Sequence, residues 1–249
     1  MNDLNDGINA LILDFSMKKN WTNAELNDLF NGIEVQYISI HFRNIQKENV
    51  QVFCDWIEKQ VVNKIEIEMT SEIHIHASCK SIGINISDIN SMAKALEAIE
   101  LNKDNTGSIY FEIEIGSNYF YEISKILALK FLWEKMMGYY QQKDKIYIIG
   151  KTAHNNKTGE DINRNMLRIT TESMSAILGG VHVMYVKPFD DGFKEINEFS
   201  RRMAKNIQLI LADESGFGLV QDTTKGSYYI EQFAKKLAEK TWERFRMSN

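Results

Sequence analysis

Residues 163–186 read NRNMLRITTESMSAILGGVHVMYV, which joins a helical pattern, a glycine pair and a strand pattern without a gap. Apolar residues recur at helical spacing in the first part, at Met166, Leu167, Ile169, Met174, Ile177 and Leu178. One face of this helix is therefore predicted to pack against a core. Gly179 and Gly180 are predicted to end the helix, because glycine readily takes the left-handed conformation found there. The alternating β-branched residues of VHVMYV then predict a strand, so the unit is half of a βα repeat.

The same alternation of strand and helix runs through most of the chain. Strands are predicted at residues 7–15, 34–42, 63–69, 72–79, 108–115, 145–152 and 181–189. Helices are predicted at residues 22–31, 47–60, 87–102, 117–138, 161–178, 194–212 and 228–246. Such an order predicts a parallel sheet with right-handed crossovers, either doubly wound or closed into a (β/α)8 TIM-type barrel.

The spacing also bears on completeness and domain organisation. The gap between 63–69 and 72–79 is too short for a crossover helix, so a barrel would be degenerate or would lack a strand or helix. No Pro-rich or low-complexity linker divides the chain. A single domain over residues 1–249 is predicted.

The predicted strands alternate apolar and polar residues, as in EIHIH (72–76) and FEIEI (111–115). Parallel strands that are covered by helices on both faces are instead apolar at nearly every position. We therefore expect isoleucines on the face that packs against helices, and histidines and glutamates on the face that lines a barrel interior. An antiparallel sheet with one solvent-facing side is the alternative.

The composition is that of a globular protein with a slight acidic excess. The formal net charge is -5 at pH 7, and basic residues are interleaved with acidic ones, which argues against binding to nucleic acid. No signal-peptide pattern opens the sequence, and no apolar run of about 18 residues occurs, so no membrane segment is expected. A cytoplasmic protein is predicted.

Two histidines one residue apart, His74 and His76, would lie on one face of a strand, as in several metal-dependent barrel hydrolases. A catalytic zinc needs three protein ligands and an open position. His41, His182 or Glu112 could complete such a site only if the fold brings one of them within coordination distance. Imidazoles that hydrogen-bond to nearby glutamates are the simpler interpretation, so no metal is expected.

Four separated blocks of sequence resemble the methylmalonyl-CoA mutase family, in the family's order and spacing. They read IGSNYFYEISKILALKFLW (115–133), NMLRITTESMSAILGG (165–180), FSRRMAKNIQLILADESG (199–216) and KGSYYIEQFAKKLAEKTW (225–242). The first block is similar in particular to the small, non-catalytic chain of the heterodimeric bacterial mutases. The resemblance covers about residues 108–245 and extends more weakly toward the amino terminus.

The resemblance implies a (β/α)8 barrel that threads an acyl-CoA along its axis, with adenosylcobalamin held against its mouth by a separate flavodoxin-like domain. A radical formed by homolysis of the cobalt–carbon bond would drive a carbon-skeleton rearrangement. The Asp-x-His-x-x-Gly signature of the cobalamin domain does not occur in this sequence. No cobalamin-binding domain is therefore expected within it, and no cofactor is expected to be bound by this chain.

Positions that carry catalytic residues in the family carry other residues here. The resemblance places seven replaced positions in the barrel interior: Ser78, Ser108, Tyr110, Tyr147, Ile149, Lys151 and His182. They stand where catalytic chains have the His of a Tyr-His pair, an Arg-x-Ser pair, an Arg-x-His-x-Gln strand and a Gln after the glycine pair. Loss of the arginines removes the bidentate contacts that orient a carboxylate. Tyr110, Glu112, Tyr147 and Met184 are also expected to fill the interior, so no catalytic residue is predicted.

The resemblance therefore implies a non-catalytic small subunit of an adenosylcobalamin-dependent methylmalonyl-CoA mutase. The expected partner is the large catalytic subunit, which would bind the cofactor, and a homodimer is the alternative assembly. Two other functions stay open. One is an acyl-CoA mutase barrel that uses a cobalamin domain on a separate chain, and the other is a metal-dependent barrel hydrolase built on His74 and His76.

Overall fold

The computed structural model describes residues 7–16, 20–59, 64–69, 81–101, 108–143, 145–217, 219–220 and 222–248. The chain divides into two compact units. The first contains Met1–Gly83 and Asn105–Ile109, and the second contains Ile84–Asp104 and Tyr110–Asn249. Helices alternate with strands that pair in parallel. The predicted α/β class with parallel pairing is therefore confirmed.

The first unit contains a three-stranded parallel sheet in the order β1 (Ala10–Asp14), β2 (Ser39–Ile45) and β3 (Lys64–Met69). Between the strands lie α1 (Asn23–Leu29) and α2 (Val50–Glu58). The helix α1 begins at a capping box, in which the Thr22 hydroxyl accepts from the Glu25 amide at 3.3 Å and the Glu25 carboxylate accepts from the Thr22 amide at 3.0 Å. This exchange satisfies amide groups that no helical carbonyl reaches.

Aromatic side chains fill the core of the first unit. The rings of Phe15, Phe42 and Phe53 meet edge-on, with centroids 4.8 to 5.5 Å apart. Trp56 of α2 is 2% exposed and contacts Phe30 after α1, at 4.7 Å between centroids. Each such ring pair adds about 0.5–1.5 kcal/mol beyond the burial of apolar area. The cluster therefore holds both helices against the sheet.

The second unit contains most of a four-stranded sheet in the order β4 (Ser81–Ile86), β5 (Ser108–Ile115), β6 (Tyr147–Thr152) and β7 (Val183–Tyr185). The helices between the strands are α3 (Ile89–Leu101), α4 (Tyr119–Tyr139) and α5 (Ile162–Gly179). After β7 come α6 (Glu198–Leu209), a π-helical turn (Ile210–Glu214) and α7 (Tyr228–Ser248). The helix α4 packs against both α5 and α7, and α7 also packs against α3.

The connection from α5 to β7 follows the prediction from the sequence. Gly180 has φ 78° and ψ 51°, the left-handed conformation that ends the helix. The side chain of Lys130 donates to the carbonyl oxygen of Gly179 at 2.9 Å. Burial lowers the pKa of Lys130. A cation at the carboxyl end of a helix stabilises it by opposing the helix dipole.

Three predicted strands need correction or fall outside the structure. Residues 72–79 lie outside the described residues, and the strand that precedes α3 is instead Ser81–Ile86. The strand β2 begins at Ser39 because Val35–Tyr37 forms a 3-10 turn. The strand β7 ends at Tyr185, since the chain turns after Pro188, where the Asp191 amide donates to the Pro188 carbonyl at 3.1 Å.

Two broader expectations are unaffected by these strand assignments. A complete (β/α)8 barrel and a single domain over residues 1–249 both stay predictions. Within the described ranges, no helix combines the length and the apolar character that a bilayer crossing requires.

Candidate functional site

Helices cover one face of the sheet formed by β5, β6 and β7. Phe111 and Ile113 of β5 are fully buried, and the ring of Phe111 meets that of Trp133 of α4 edge-on at 5.5 Å. Ile148 of β6 lies opposite Phe111 in the register and is also fully buried. Ile113 and Ile148 thus share the helix-covered face, as the alternation predicts, whereas Ile149 pairs with Glu112 on the other face.

Gly150 of β6 lets α5 approach the same face closely. A Cβ atom at Gly150 would lie 3.1 Å from Sδ of Met184, 3.2 Å from Cγ1 of Val181 and 3.3 Å from Cβ of Ala176. Met184 lies opposite Gly150 and packs against the core that contains Ile169. The prediction that Met184 fills a barrel interior is wrong, because Met184 is one residue out of step with the polar positions.

The opposite face of the sheet carries polar and aromatic side chains. Its members pair across β5 and β6 as Tyr110 with Tyr147, Glu112 with Ile149 and Glu114 with Lys151. Nζ of Lys151 lies 3.2 Å from Oε1 of Glu112, and these side chains are 28% and 9% exposed. This polar face therefore holds two carboxylates and one ammonium group.

A cavity of about 190 Å³ lies toward the carboxyl ends of β4, β5 and β6. It is lined by Asn85, Ile86, Ser87, Glu112, Glu114 and Lys151. Sheets with parallel strands place their ligand sites at the carboxyl ends of the strands, because the following loops bring varied side chains together there. We call this space the strand-end cavity and take it as the candidate functional site.

A buried lysine fixes two of the strands that frame the strand-end cavity. Nζ of Lys125 donates to the carbonyl oxygens of Glu114 at 2.6 Å and Ser87 at 3.1 Å. It also lies 2.6 Å from Oε2 of Glu122, and the Lys125 side chain is 1% exposed. Burial raises the pKa of Glu122, and the charge of Lys125 opposes that shift. Lys125 thus ties the ends of β4 and β5 to α4.

A second buried ion pair joins the loop after β6 to α5. Nζ of Lys157 donates to Oε1 and Oε2 of Glu172 at 2.7 and 2.8 Å, and Nδ2 of Asn156 donates to Oε1 at 2.6 Å. Arg168 donates to the carbonyl oxygen of Asn156. The side chains of Lys157 and Glu172 are 6% and 0% exposed. Burial raises the pKa of Glu172 and lowers that of Lys157, and their pairing opposes both shifts.

Asn165 of α5 joins the loop after β6 to the loop after β7. Its Nδ2 donates to the carbonyl oxygens of Thr158 at 2.9 Å and Phe189 at 3.1 Å. Its Oδ1 accepts from the Thr158 amide at 3.1 Å, and the residue is fully buried. One side-chain amide therefore satisfies three backbone groups in two loops.

The structure brings part of the predicted interior set together. The predicted positions that share the polar face are Tyr110, Tyr147, Ile149 and Lys151. Ser108 is the first residue of β5. His182 precedes β7, and its Nδ1 accepts a hydrogen bond from the Ile148 amide at 3.1 Å. The imidazole ring is therefore bonded to the backbone of β6. Ser78 lies outside the described residues.

The metal candidates of the sequence do not assemble within the described part of the chain. His74 and His76 lie outside it. Among the residues that are described, no three or more His, Cys, Asp or Glu side chains are grouped so that they could hold a metal ion.

Three parts of the site were not predicted from the sequence. Asn85 and Ser87 were missed because no strand was assigned to residues 81–86. Lys125 carries a usable signal, since it lies inside the apolar stretch ISKILALKFLW (123–133) with Glu122 three residues before it. A charged pair at that spacing in an otherwise apolar helix indicates a buried ion pair. Lys157 and Glu172 carry no local signal, because they are distant in sequence.

Comparison with known proteins adds the family. The sequence profile described as methylmalonyl-CoA mutase matches residues 80–247, more than half of the chain. The chain belongs to the methylmalonyl-CoA mutase family. The matched range contains the strand-end cavity and both buried ion pairs.

Several bacterial relatives of this mutase-family chain are similar over part of their length. The methylmalonyl-CoA mutase small subunit of Porphyromonas gingivalis is 42% identical over 142 residues, which is 55% of this chain and 23% of that protein. The methylmalonyl-CoA mutase of Rhizobium meliloti is 33% identical over 169 residues, 66% of this chain and 24% of that protein. The large subunit of Propionibacterium freudenreichii subsp. shermanii is 31% identical over 154 residues, 60% of this chain and 21% of that protein. The chain thus matches about a quarter or less of these relatives.

Proposed function

We propose that the chain is the non-catalytic small subunit of a cytoplasmic methylmalonyl-CoA mutase, in which it forms a degenerate (β/α)8 barrel. Its partner would be the large subunit, which would interconvert methylmalonyl-CoA and succinyl-CoA with adenosylcobalamin. The observation that carries the proposal is the ion pair between Lys151 and Glu112 on the polar face. The likeness to a small subunit at 42% identity supports this choice of subunit.

The charges of the strand-end cavity disfavour an acyl-CoA. Its lining includes two carboxylates, Glu112 and Glu114, and one cation, Lys151, which is paired with Glu112. A substrate that carries a carboxylate and CoA phosphates would meet net repulsion there. The four strands β4 to β7 contain no arginine, so they offer no planar fork for a carboxylate.

The size of the strand-end cavity points the same way. Its volume of about 190 Å³ is below the roughly 300–1,000 Å³ of sites that enclose small-molecule ligands. Tyr110 and Ile149, on the same face and nearer the amino ends of the strands, are 3% and 1% exposed. This burial supports the proposal, because an acyl-CoA in the barrel that the resemblance implies would need open space at these positions.

Neither His154 nor His182 is placed to hold adenosylcobalamin. His154 is exposed and stacks on Phe193 at 5.9 Å between ring centroids. Nδ1 of His182 accepts a hydrogen bond from the backbone amide of Ile148. The sequence contains no Asp-x-His-x-x-Gly segment that would present a histidine to cobalt. The proposal therefore assigns the cofactor to the large subunit.

Co-expression with the methylmalonyl-CoA mutase large subunit of the source organism tests the partnership. We expect an affinity tag on either chain to retain both chains in equal amounts, and size-exclusion chromatography to show one complex. Separate elution of two folded chains would contradict the proposal. The same chromatography of this chain alone shows whether it forms a homodimer instead.

Titration calorimetry tests the absence of an acyl-CoA site in this chain. We expect no saturable heat when methylmalonyl-CoA or succinyl-CoA is added to the isolated chain at concentrations up to about 1 mM, which corresponds to about -4 kcal/mol of binding free energy. Saturable binding that Lys151→Gln removes and Lys145→Gln leaves intact would favour the acyl-CoA mutase alternative. Lys145 is an exposed lysine just before β6 and serves as the matched control.

A further inference from the structure

A second, larger concave site lies in the second unit and shares no residue with the strand-end cavity. It is a groove of about 600 Å³ between the start of α3, the start of α4 and the carboxyl-terminal half of α7. Residues that line it include Asp88, Asn90, Tyr121, Lys240, Arg244 and Met247. Its volume is within the range of about 300–1,000 Å³ that is typical of small-molecule sites. We call it the helix-end groove.

Two cations of the helix-end groove are available to a ligand. Lys240 and Arg244 are one helical turn apart on α7, so both side chains lie on one face of the helix. Neither side chain makes a hydrogen bond or an ion pair with another described residue. Glu243 also lines the groove, but it forms no ion pair with either cation within the described chain.

The other acid of the groove, Asp88, is already engaged. Its Oδ1 accepts from the backbone amide and from the hydroxyl of Ser91, both at 2.8 Å. The hydrogen bond from the backbone amide of Ser91 is the main cause of the lowered pKa of Asp88. A carboxylate at the start of a helix is offset by the partial positive charge of the exposed amides. These bonds direct the Asp88 carboxylate to the start of α3 rather than to Lys240 or Arg244, while it keeps its negative charge.

Apart from Asn90, the rest of the lining is apolar or aromatic. Ile89 and half-buried Tyr121 form part of the wall, and Met247 is 81% exposed at the rim. Such a lining favours a flat apolar body, because burying that surface is worth about 25 cal/mol per Å². The groove thus has two cations, Lys240 and Arg244, at one end and an apolar wall beside them.

We propose that the helix-end groove binds a small organic anion, a carboxylate or phosphate carried on an aromatic or similarly flat apolar body. The guanidinium of Arg244 can hold two oxygens of such a group at once, and Lys240 supplies a second positive charge. The apolar body lies against Tyr121 and Met247. This site is independent of the proposed subunit function.

Titration of the full chain with simple probes tests the groove. Phenyl phosphate and benzoate represent the two anion types, inorganic phosphate represents the anion without the apolar body, and benzyl alcohol represents the body without the charge. We expect phenyl phosphate or benzoate to bind with a Kd below about 1 mM, and inorganic phosphate and benzyl alcohol to bind at least about tenfold more weakly. Absence of saturable binding of either aromatic anion up to about 10 mM would overturn the proposal.

Paired substitutions on α7 locate the site. In Lys240→Gln/Arg244→Gln we expect the Kd of the aromatic anion to rise at least about tenfold, the usual scale for losing charge-assisted hydrogen bonds. The matched control is Lys236→Gln/Arg246→Gln, which removes two exposed cations of the same helix that do not line the groove. Equal losses in both variants would assign the binding to the general charge of the helix and overturn the proposal. Unchanged thermal unfolding of both variants establishes that each is folded.

Discussion

The two faces of the β5–β6–β7 sheet differ in the environment that they give to neighbouring residues of one strand. On the helix-covered face, Ile113 is fully buried and Gly150 is crowded by side chains. On the polar face, Glu112 meets Lys151, which retains contact with water. The difference predicts that the free energy of unfolding is less sensitive to changes in the pair of Glu112 and Lys151 than to changes on the helix-covered face.

The largest expected change in the free energy of unfolding comes from breaking the buried ion pair of Lys157 and Glu172, in contrast to the partly exposed pair of Lys151 and Glu112. Lys157→Ala leaves the carboxylate of Glu172 without its lysine in a position with no exposed surface. We expect a loss of about 3–5 kcal/mol in the free energy of unfolding, the usual result of breaking a buried pair. Lys151→Ala is expected to lose about 1 kcal/mol or less, because water reaches that pair. Urea denaturation measures both, and equal losses would contradict the distinction.

Adjacent residues of β5 give a second test of the two faces. Ile113→Ala removes a fully buried side chain from the helix-covered face, and we expect a loss of about 2–5 kcal/mol in the free energy of unfolding. Glu112→Ala on the polar face is expected to lose about 1 kcal/mol, since the remaining Lys151 is partly hydrated. Thermal and urea unfolding of the two variants should rank them in this order. A larger loss for Glu112→Ala would show that the polar face is the tighter one.

A pair of glycines tests how closely the helix-covered face is packed. Gly150→Ala would place a methyl group within 3.3 Å of three side chains, and we expect overpacking to cost about 1–3 kcal/mol. Gly138→Ala is the control with the opposite sign, because no atom lies within 4 Å of a Cβ there and the residue is helical. That change should stabilise the protein by about 0.5–1 kcal/mol. Stabilisation in both variants would mean that α5 can move away from β6.

The pH dependence of stability should reveal the buried carboxylate of α4. Burial raises the pKa of Glu122 above its ordinary value of 4.5, so the folded protein holds this proton more tightly than the unfolded chain. Stability from this group is therefore present at low pH and is lost as the pH rises from 4.5 through the raised pKa. Glu122→Gln cannot ionise, so the unfolding free energy of the unmodified protein should fall relative to that of the variant over this range.

Urea denaturation at several pH values from 4.5 to neutrality measures that difference. Glu134→Gln, at an exposed position of the same helix, is the control and should run parallel to the unmodified protein. A constant difference between Glu122→Gln and the unmodified protein would show that the raised pKa has no effect on folding.

Local patterns explain what could be predicted from the sequence. The structure matches the prediction for residues 163–186 except at both ends of β7, because helical spacing, a glycine pair and β-branched alternation each act over a few residues. The alternation in FEIEI predicted which residues would share a face of β5. The resemblance that the four sequence blocks indicated is confirmed by the family match.

Relations between distant residues explain what could not be predicted. The position of Met184 depends on the register between β6 and β7, which the short strand does not reveal by itself. Lys157 and Glu172 pair only once the loop after β6 folds onto α5. The strand at residues 81–86 was passed over because the stronger alternation of EIHIH, just before it, was assigned as the strand. Asn85 and Ser87 of the strand-end cavity were missed with it.

The side chain of Asn165 couples the loop after β6 to the loop after β7. The side-chain amide of Asn165 forms hydrogen bonds to the backbone of both Thr158 and Phe189. A molecule that binds either loop would therefore also restrain the other. The Thr158 amide proton, which points at Oδ1 of Asn165, would then exchange with deuterium more slowly when the neighbouring loop is occupied. The exchange rate of the Thr158 amide would therefore report whether a partner contacts the loop that contains Phe189.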